Sequence, residues 1–407
     1  MISFDEALAC VIGAATPLGT ETVPLAAAAG RVLAEAVVAD LDLPPFDTTA
    51  MDGWAVPAAA AAGAPARFRV AGTLGAGAPA GDLAAGWALK LMTGAPLPGG
   101  TDSIVPVEEA REEKDGTVTL LRAPKSGAHV RRRGEVLVAG DTLLSAGRRL
   151  SPADLVLAAA AGRDAVRVVR RARAGVVVTG QEVVPSGKRP GPAQIRNTNG
   201  PLLFSALARF GAEALDFGTV SDDRRALRVK LGEALASRVD LFMTTGGVST
   251  GDFDVVPEVL VELGARPRFH RVAMKPGKPV FFAEAGSTLV FGLPGNPVSA
   301  AVCYDLLVRP ALRKAAGLSP ALPPAVAATL VRPVANGGSR RVFHPARLSR
   351  DGSHLMAEAI PTRGSHDVVA HARSDGLLVL EPGVRLAAGE RIGVLLPTDE
   401  TTLGAWE

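Results

Sequence analysis

The sequence predicts a multi-domain protein of α/β and β type, with a doubly wound α/β unit set between a β-rich region and a small closing β domain. Three observations carry this. AGVVVTG (174–180), TNGPLLFSALARFG (198–211), EALDFGTV (213–220), DDRRALRVKLGEALASR (222–238) and DLFMTTG (240–246) alternate buried-type strands with amphipathic helices, the rhythm of a parallel sheet. From PPFDTTAMDGWAV (44–56) to about residue 146 the chain is rich in Gly and Pro, with short runs such as RFRVAG, WALKLM and VTLLRA that fit only strands and turns. The proline-rich SPALPPAV (319–326) reads as a linker, and beyond it TLVRPV, LLVL and RIGVLLP read as short strands.

Taken in order, SFDEALACVIGA (3–14) begins with Ser3 and has Glu6 three residues on, a capping-box spacing before an apolar helix. Residues 20–40 look extended. SPADLVLAAAAG (151–162) is a short helix with Ser151 as cap and Pro152 at its first position. VVPEVLVELG adds a helix after the last strand of the alternation, and PGNPVSAAVCYDLLVRPALRKAAG (294–317) reads as one helix capped near Asn296. No tandem repeat occurs at a fixed period, and PAAAAAGAPA (57–66) is a compositionally biased loop.

A chain of 407 residues exceeds one compact core and suggests two to four domains. The balance of 44 basic and 41 acidic groups, +3 overall, gives no ground for nucleic-acid binding, although the sequence pI is near 9.1. The first residues carry acids ahead of any cationic segment, and no apolar run reaches about 18 residues. A soluble, cytoplasmic protein with no membrane partner is the expectation. Cys10 and Cys303 form neither a disulfide framework nor a metal-spaced cluster, and read as reduced core thiols.

The turn TTGGVSTGDFD (244–254) carries the first candidate site. Gly246, Gly247 and Gly251, with Ser249, let backbone N–H groups gather around a phosphate at a helix start. Asp252 and Asp254 would repel that phosphate unless a divalent cation lies between them. Glu182, in TGQEVV after the first strand, points into the same crevice, and Asp222 follows the second strand. Three strand ends carrying carboxylates fit an oxygen-ligand site, for which Mg²⁺ is the usual choice beside a phosphate. Helix capping explains Asp222 equally well. Lys275 and Lys278 flank a Pro-Gly turn in VAMKPGKPVFF (272–282), where they could neutralise an oxyanion. By itself a solvated hairpin turn explains them better, and the motif gains weight from following the cradle within one α/β unit. In GLPGNPVSA (292–300), Pro294, Gly295, Asn296 and Pro297 either expose N–H groups or merely cap a helix.

In the β-rich region, DTTAMDGWAV (47–56) carries Asp47, Asp52 and Gly53 in what composition reads as a turn. Thr93 lies in LMTGAPLP. Arg131 and Arg133 of VRRRGE share one face of a strand and could clamp an anion, or decorate a solvated edge. Other chemistries fit poorly: the glycine turn has no following Lys, as a nucleotide-triphosphate P-loop requires, and no HExxH is present.

PPFDTTAMDGWAV, MTGAPLP, RRRGE with AGD, TGQE, QIRNTNG, TTGGVSTGDFD, MKPGKP and GLPGNP occur in this order over most of the chain. Together they resemble the molybdopterin molybdenumtransferases, which insert molybdenum during molybdenum-cofactor synthesis and are related to the E domain of gephyrin. TTGGVSTGD is shared with single-domain molybdopterin adenylyltransferases, whereas AMDG with MKPGKP and GLPGNP is specific. The resemblance implies an elongated linking domain of 1–45 plus 147–175, an inserted β-rich domain of 46–146, a molybdopterin-binding α/β domain of 176–326 and a C-terminal β-barrel-like domain of 327–407. It implies a homodimer with the active site shared between the α/β domain of one subunit and the inserted domain of the other. The implied substrates are molybdate and adenylylated molybdopterin, and the products molybdenum cofactor and AMP. Glu182, Asp222 and Asp254 would hold a divalent ion, Mg²⁺ or another, on the phosphoanhydride. Gly246, Gly247, Ser249, Gly251 and Asp252 would cradle the phosphate, with Pro294, Gly295, Asn296 and Pro297 beside them. By the same resemblance Asp52, Thr93 and Arg131, with Arg133, line the molybdate side, and Lys275 and Lys278 bind anion. Ser365 and His366 of TRGSHD are further candidates for reaching the crevice.

Two positions depart from the family pattern. Val136 follows RRRGE where the family usually has Asp, so Glu135 would have to substitute for it. Asn197 stands where Asp is common. These changes leave room for a weak or inactive paralogue that binds molybdopterin or a partner without turnover. An adenylyltransferase is the other alternative, although it needs neither the inserted nor the C-terminal domain. Transient contact with a molybdopterin adenylyltransferase or with cofactor acceptors is also implied.

Overall fold

The computed structural model describes residues 1–248, 255–319 and 324–396. Ser249, Gly251, Asp252 and Asp254 therefore lie outside the described residues, as do positions 320–323 of the proline-rich stretch.

The helix Phe4–Ala14 starts with the capping box: Ser3 Oγ accepts from Glu6 N at 3.2 Å, and the Glu6 carboxylate accepts from Ser3 N at 2.8 Å. Phe4, Ala7, Leu8 and Val11 fall on one helical face and enter the same core as Leu203, Tyr304 and Phe343. The next stretch is only partly extended. Strand Thr20–Pro24 pairs antiparallel with Ala165–Val169, a short 3₁₀ turn follows, and Val37–Val38 pairs with Thr142–Leu144. Their core joins Leu33 and Val37 to Leu144, Leu150, Ala158 and Val168, so the chain leaves this layer after residue 38 and returns at 142.

The intervening chain builds a six-stranded sheet in the order Ser103–Pro106, Gly53–Val56, Trp87–Leu91, Ala66–Leu74, Thr117–Leu120, Ala110–Glu112. Trp54, Phe68, Val105, Val118 and Leu120 pack its interior. The stretch at 57–66, read as a loop, contains a 3₁₀ turn at Ala58–Ala61.

The central sheet runs Glu213–Val220, Arg173–Thr179, Leu241–Thr245, Thr288–Leu293, Phe281–Ala285, Arg266–His270. The first four strands are parallel, as the alternation predicts. Phe281–Ala285 runs antiparallel to both of its neighbours and makes the sheet mixed, because only a tight turn separates it from Thr288–Leu293 and a parallel crossover needs a dozen or more residues. Both faces are covered. Val176, Leu241 and Met243 meet helix Asn199–Phe210 through Leu203 and Leu207 on one side. Val177 and Phe242 meet Leu227, Leu231 and Val259 of helices Arg224–Ala236 and Val256–Glu262 on the other, the two-residue alternation of a strand buried on both faces. The helix after GLPGNP is interrupted by a π turn, Tyr304–Val308, just ahead of Pro310, which has no N–H for a regular ladder.

The C-terminal strands close on themselves. Arg341–Asp351, His354–Ala359, Ala325–Leu330, Arg391–Leu395 and Gly376–Leu380 pair in turn, and the last pairs back to the first, forming a five-stranded barrel. Met274–Lys275 adds to the barrel strand Arg341–Asp351 in parallel, joining the central unit to it. Among the described residues no helix is long and apolar enough to cross a membrane. Cys10 is half-buried and Cys303 fully buried, both are free, and burial pushes the Cys303 thiol pKa upward.

Asp240, just before strand Leu241–Thr245, accepts two bonds from Arg170, at 2.7 and 2.6 Å, and one from Arg173 N at 2.8 Å. Burial raises its pKa, but these bonds outweigh burial and hold it below the usual carboxylate range. A lowered folded pKa gives stability that is present above the unfolded value, about 3.9, and is lost as pH falls through the folded value. Asp240→Asn should therefore lower stability by on the order of 1–2 kcal/mol at pH 7. Melting curves at successively lower pH should show the gap to the parent chain closing below about pH 4.

Candidate functional site

The chain steps from strand Arg173–Thr179 to one neighbour, Glu213–Val220, and then across to the other, Leu241–Thr245. Such a reversal opens a crevice at the strand C-terminal ends. A cavity of about 450 Å³ lies there, lined among others by Glu182, Asn199, Asp222, Gly246, Gly247 and Gly295. The turn after Leu241–Thr245 requires glycine. A Cβ on Gly246, at φ +100°, would stand 2.7 Å from the Thr179 carbonyl oxygen, and one on Gly247, at φ +63°, 2.6 Å from Val256 Cγ2. Gly246 N donates to Leu293 O at 3.0 Å, which fixes the turn against the next strand.

One side chain that the motifs did not single out shapes this floor. Asn199 Nδ2 donates to Thr245 Oγ1 at 2.5 Å and to Gly295 O at 2.8 Å. Its Oδ1 is buried without a partner in a residue only 7% exposed, which leaves an acceptor for a ligand N–H or O–H. An asparagine in the first turn of a helix entering from a strand end was the available signal. Asn197, the departure noted above, keeps a capping function: its Oδ1 accepts from Gly200 N at 2.8 Å.

The capping explanation of Asp222 does not hold. The cap of helix Arg224–Ala236 is Asp223, whose carboxylate accepts from Ala226 N at 2.9 Å, and Asp222 instead lines the cavity with Glu182. Two hard carboxylate donors on one cavity suit Mg²⁺, so the residues present fit such an ion. No cluster of three or more His, Cys, Asp or Glu able to hold a metal occurs among the described residues. Asp254, expected as the third ligand, is outside them.

Lys275 and Lys278 do not line this cavity. They line a second one, about 390 Å³, between the central unit and the barrel, with Arg340, His344 and Ser365. The two cavities share Pro279, Pro294 and Asn296. Both lysines are exposed, and neither makes an ion pair among the described residues. Burial holds His344 below the usual histidine pKa, opposed by its bond to Ile360 O and reinforced by the charge of Lys275, so it is neutral at pH 7. Asn296 occupies the cap position of helix Pro297–Cys303 without a side-chain cap bond; its Nδ2 donates to Ser365 Oγ at 3.0 Å. Ser365 thus reaches the GLPGNP turn, while His366 lines neither cavity.

Three motifs of the inserted region meet in one corner. Thr48–Thr49 pairs with Val130–Arg131, Thr49 N donates to Ala95 O at 3.0 Å, and Gly94 N donates to Thr49 O at 3.1 Å. Asp52 accepts from Thr93 Oγ1 and N, both at 2.7 Å, and these bonds, with the charge of Lys90, lower its pKa. Gly53 follows because a Cβ there would lie 2.6 Å from the Val105 carbonyl oxygen. The shared face expected for Arg131 and Arg133 is not formed. The strand ends at Arg131, and Arg133 turns to Asp42, with Nε 2.5 Å from its carboxylate. Asp47, which composition read only as a turn residue, takes Arg132 at 2.6 Å and Arg133 N at 2.8 Å. Val136 is 68% exposed beside this corner. None of the residues lining the crevice cavity comes from 46–146.

A switch-point crevice with a glycine turn, two carboxylates and a buried amide acceptor, adjoining a lysine-lined cavity, marks a multi-domain α/β protein with a small-molecule site at its strand ends. Comparison with known families narrows the class. The chain matches the MoeA N-terminal region (domain I and II) over residues 2–162, a probable molybdopterin binding domain over 175–314 and the MoeA C-terminal region (domain IV) over 327–396. It is 36% identical over 384 residues to molybdopterin molybdenumtransferase 2 of Mycobacterium tuberculosis, covering 92% of this chain and 94% of that one. It is 34% identical over 412 residues to the molybdopterin molybdenumtransferase of Bacillus subtilis, covering 98% and 95%. A molybdopterin biosynthesis MoeA structure from Pyrococcus horikosii superposes with a TM-score of 0.85 at 30% identity, over 98% of this chain and all of the other. The chain belongs to the molybdopterin molybdenumtransferase family, and it is a transferase of molybdenum-cofactor biosynthesis.

The neighbouring aspartates should separate cleanly. Asp223→Ala should cost about 1 kcal/mol of stability through the lost cap and leave cofactor formation intact. Asp222→Asn should lose roughly tenfold or more of that activity. Thermal melts and turnover on the same preparations read both.

Proposed function

We propose that this enzyme inserts molybdenum from molybdate into adenylylated molybdopterin, releasing AMP. The observation that carries the reading is the adjacency of the two cavities. The crevice offers a glycine turn, Glu182 and Asp222 to a phosphate group, and next to it Lys275, Lys278 and Arg340 offer positive charge to an oxyanion. Glu182, Asp222 and Asp254 would hold Mg²⁺ or another divalent cation, which when bound supplies charge stabilisation to the phosphoanhydride. Asn199 Oδ1 orients a donor group of the substrate, and Gly246 and Gly247 keep the turn open to the phosphate. Ser249, Gly251 and Asp252 would contact the same phosphate; Pro294 lines both cavities and Lys278 the second, while Pro297 opens the helix that follows the turn.

The Asp52–Thr93 corner, with Arg131 and Arg133, belongs to the molybdate side. Since no residue of 46–146 lines the crevice of its own chain, we assign this corner to the crevice of a second copy, which makes the working enzyme a homodimer. The proposed domains are 1–45 plus 147–175, 46–146, 176–326 and 327–407. Two free cysteines fit a reducing compartment and support a cytoplasmic enzyme that hands its product to acceptor proteins by transient contact. A second reading, a binding paralogue with little turnover, is favoured by one observation: Val136, at the position where the family resemblance implies an Asp, is apolar and exposed.

AMP release from adenylylated molybdopterin, with and without molybdate and Mg²⁺, tests both. Molybdate-dependent release that disappears in Asp254→Asn is the expected result, and Val136→Asp should be faster than the parent chain. Tight binding without release would establish the paralogue.

A further inference from the structure

Helix Asn199–Phe210 begins at the crevice and ends beside the starts of strands Arg173–Thr179 and Glu213–Val220, at the opposite end of the sheet. There a separate cavity of about 260 Å³ lies between the linking layer and the central unit. Its lining includes Arg31, Arg149, Arg170, Arg171 and Arg209, and no carboxylate. Two of these arginines have structural tasks: Arg31 is taken by Glu21 and the Val169 carbonyl, and Arg170 by Asp240. Arg149 is fixed in place, donating to Gly30 O at 3.0 Å and Phe210 O at 3.1 Å and lying 5.2 Å over the Phe210 ring. Arg171 and Arg209 are exposed and make no side-chain hydrogen bond or ion pair among the described residues. The negative end of the helix dipole accounts for Arg209, which lies in the last turn, but not for Arg171, which is outside the helix.

Guanidinium groups gathered around a space of this size raise the local potential, and their planar forks match the oxygens of a phosphoryl group. We propose that this cavity is a second anion site, distinct from the molybdenum chemistry, which binds inorganic phosphate or the phosphoryl group of a small phosphate ester through Arg171 and Arg209. The bound anion ties residues 169–171 to the C-terminal end of the helix whose first turn, at Asn199, floors the crevice.

Calorimetric titration of the full chain with phosphate, pyrophosphate and AMP, against chloride at matched ionic strength, tests the proposal. Phosphate should bind and raise the melting temperature beyond the chloride control. Arg171→Gln with Arg209→Gln should weaken binding by roughly tenfold or more while melting like the parent in chloride. Arg209→Gln alone should give a smaller loss and serves if the double variant melts early. Lys275→Gln with Lys278→Gln, at the other cavity, should keep the phosphate response. AMP binding more tightly than phosphate would assign the site to phosphate esters, and the reverse order to the free ion. Binding that persists unchanged in the arginine variants, that is lost in the lysine variant, or that does not exceed chloride would overturn it.

Discussion

The close approach of three backbones at the end of the central sheet constrains everything around it. The turn after Leu241–Thr245 lies so near the Thr179 carbonyl that any side chain at Gly246 would collide with it. Its N–H is held by Leu293 on the other side. A backbone carbonyl cannot move aside as a side-chain tip can, so the turn is locked to strands on both flanks. That rigidity places Glu182, Asn199 and Asp222, from three different segments, on one cavity. A site assembled from rigid strand ends keeps its geometry without needing a ligand to organise it.

The barrel is coupled to that floor by a shared apolar core, which includes its Phe343 and Leu377, and by directional contacts. Met274–Lys275 adds a strand edge to Arg341–Asp351, and Asn296 gives up its capping bond to reach Ser365. An asparagine at a cap position normally satisfies its own helix, so this choice marks GLPGNP as a joint between domains as well as a helix start. The consequence is a second cavity whose walls come from both domains and whose free charges are lysines.

Where the linking layer meets the inserted region, three carboxylates are committed to bonds that keep them ionised. Asp52 is held by Thr93, Asp47 by Arg132 and the Arg133 amide, and Asp42 by Arg133 and the Ala139 amide; each has its pKa lowered. Groups held this way are weak bases at neutral pH and act as fixed negative posts that orient their partners. Arg131, exposed like its two neighbours, makes no ion pair among the described residues.

The sequence by itself determined the capping box at Ser3, the cap at Ser151, the alternation that builds the parallel half of the sheet, the glycines of the 244–247 turn and the family resemblance. All of these rest on interactions within a few residues or on a pattern of residue types. It did not determine which of Asp222 and Asp223 caps the helix, because both stand at the right spacing and only the path of the chain selects one. Nor could it separate Lys275 from the crevice, or turn Arg133 away from Arg131, since those outcomes depend on where a distant barrel strand and Asp42 come to lie. The arginines of 31, 149, 170, 171 and 209 are scattered in the chain and carry no motif. Packing of the linking layer against a helix end is what makes them neighbours, a juxtaposition that exists only in three dimensions.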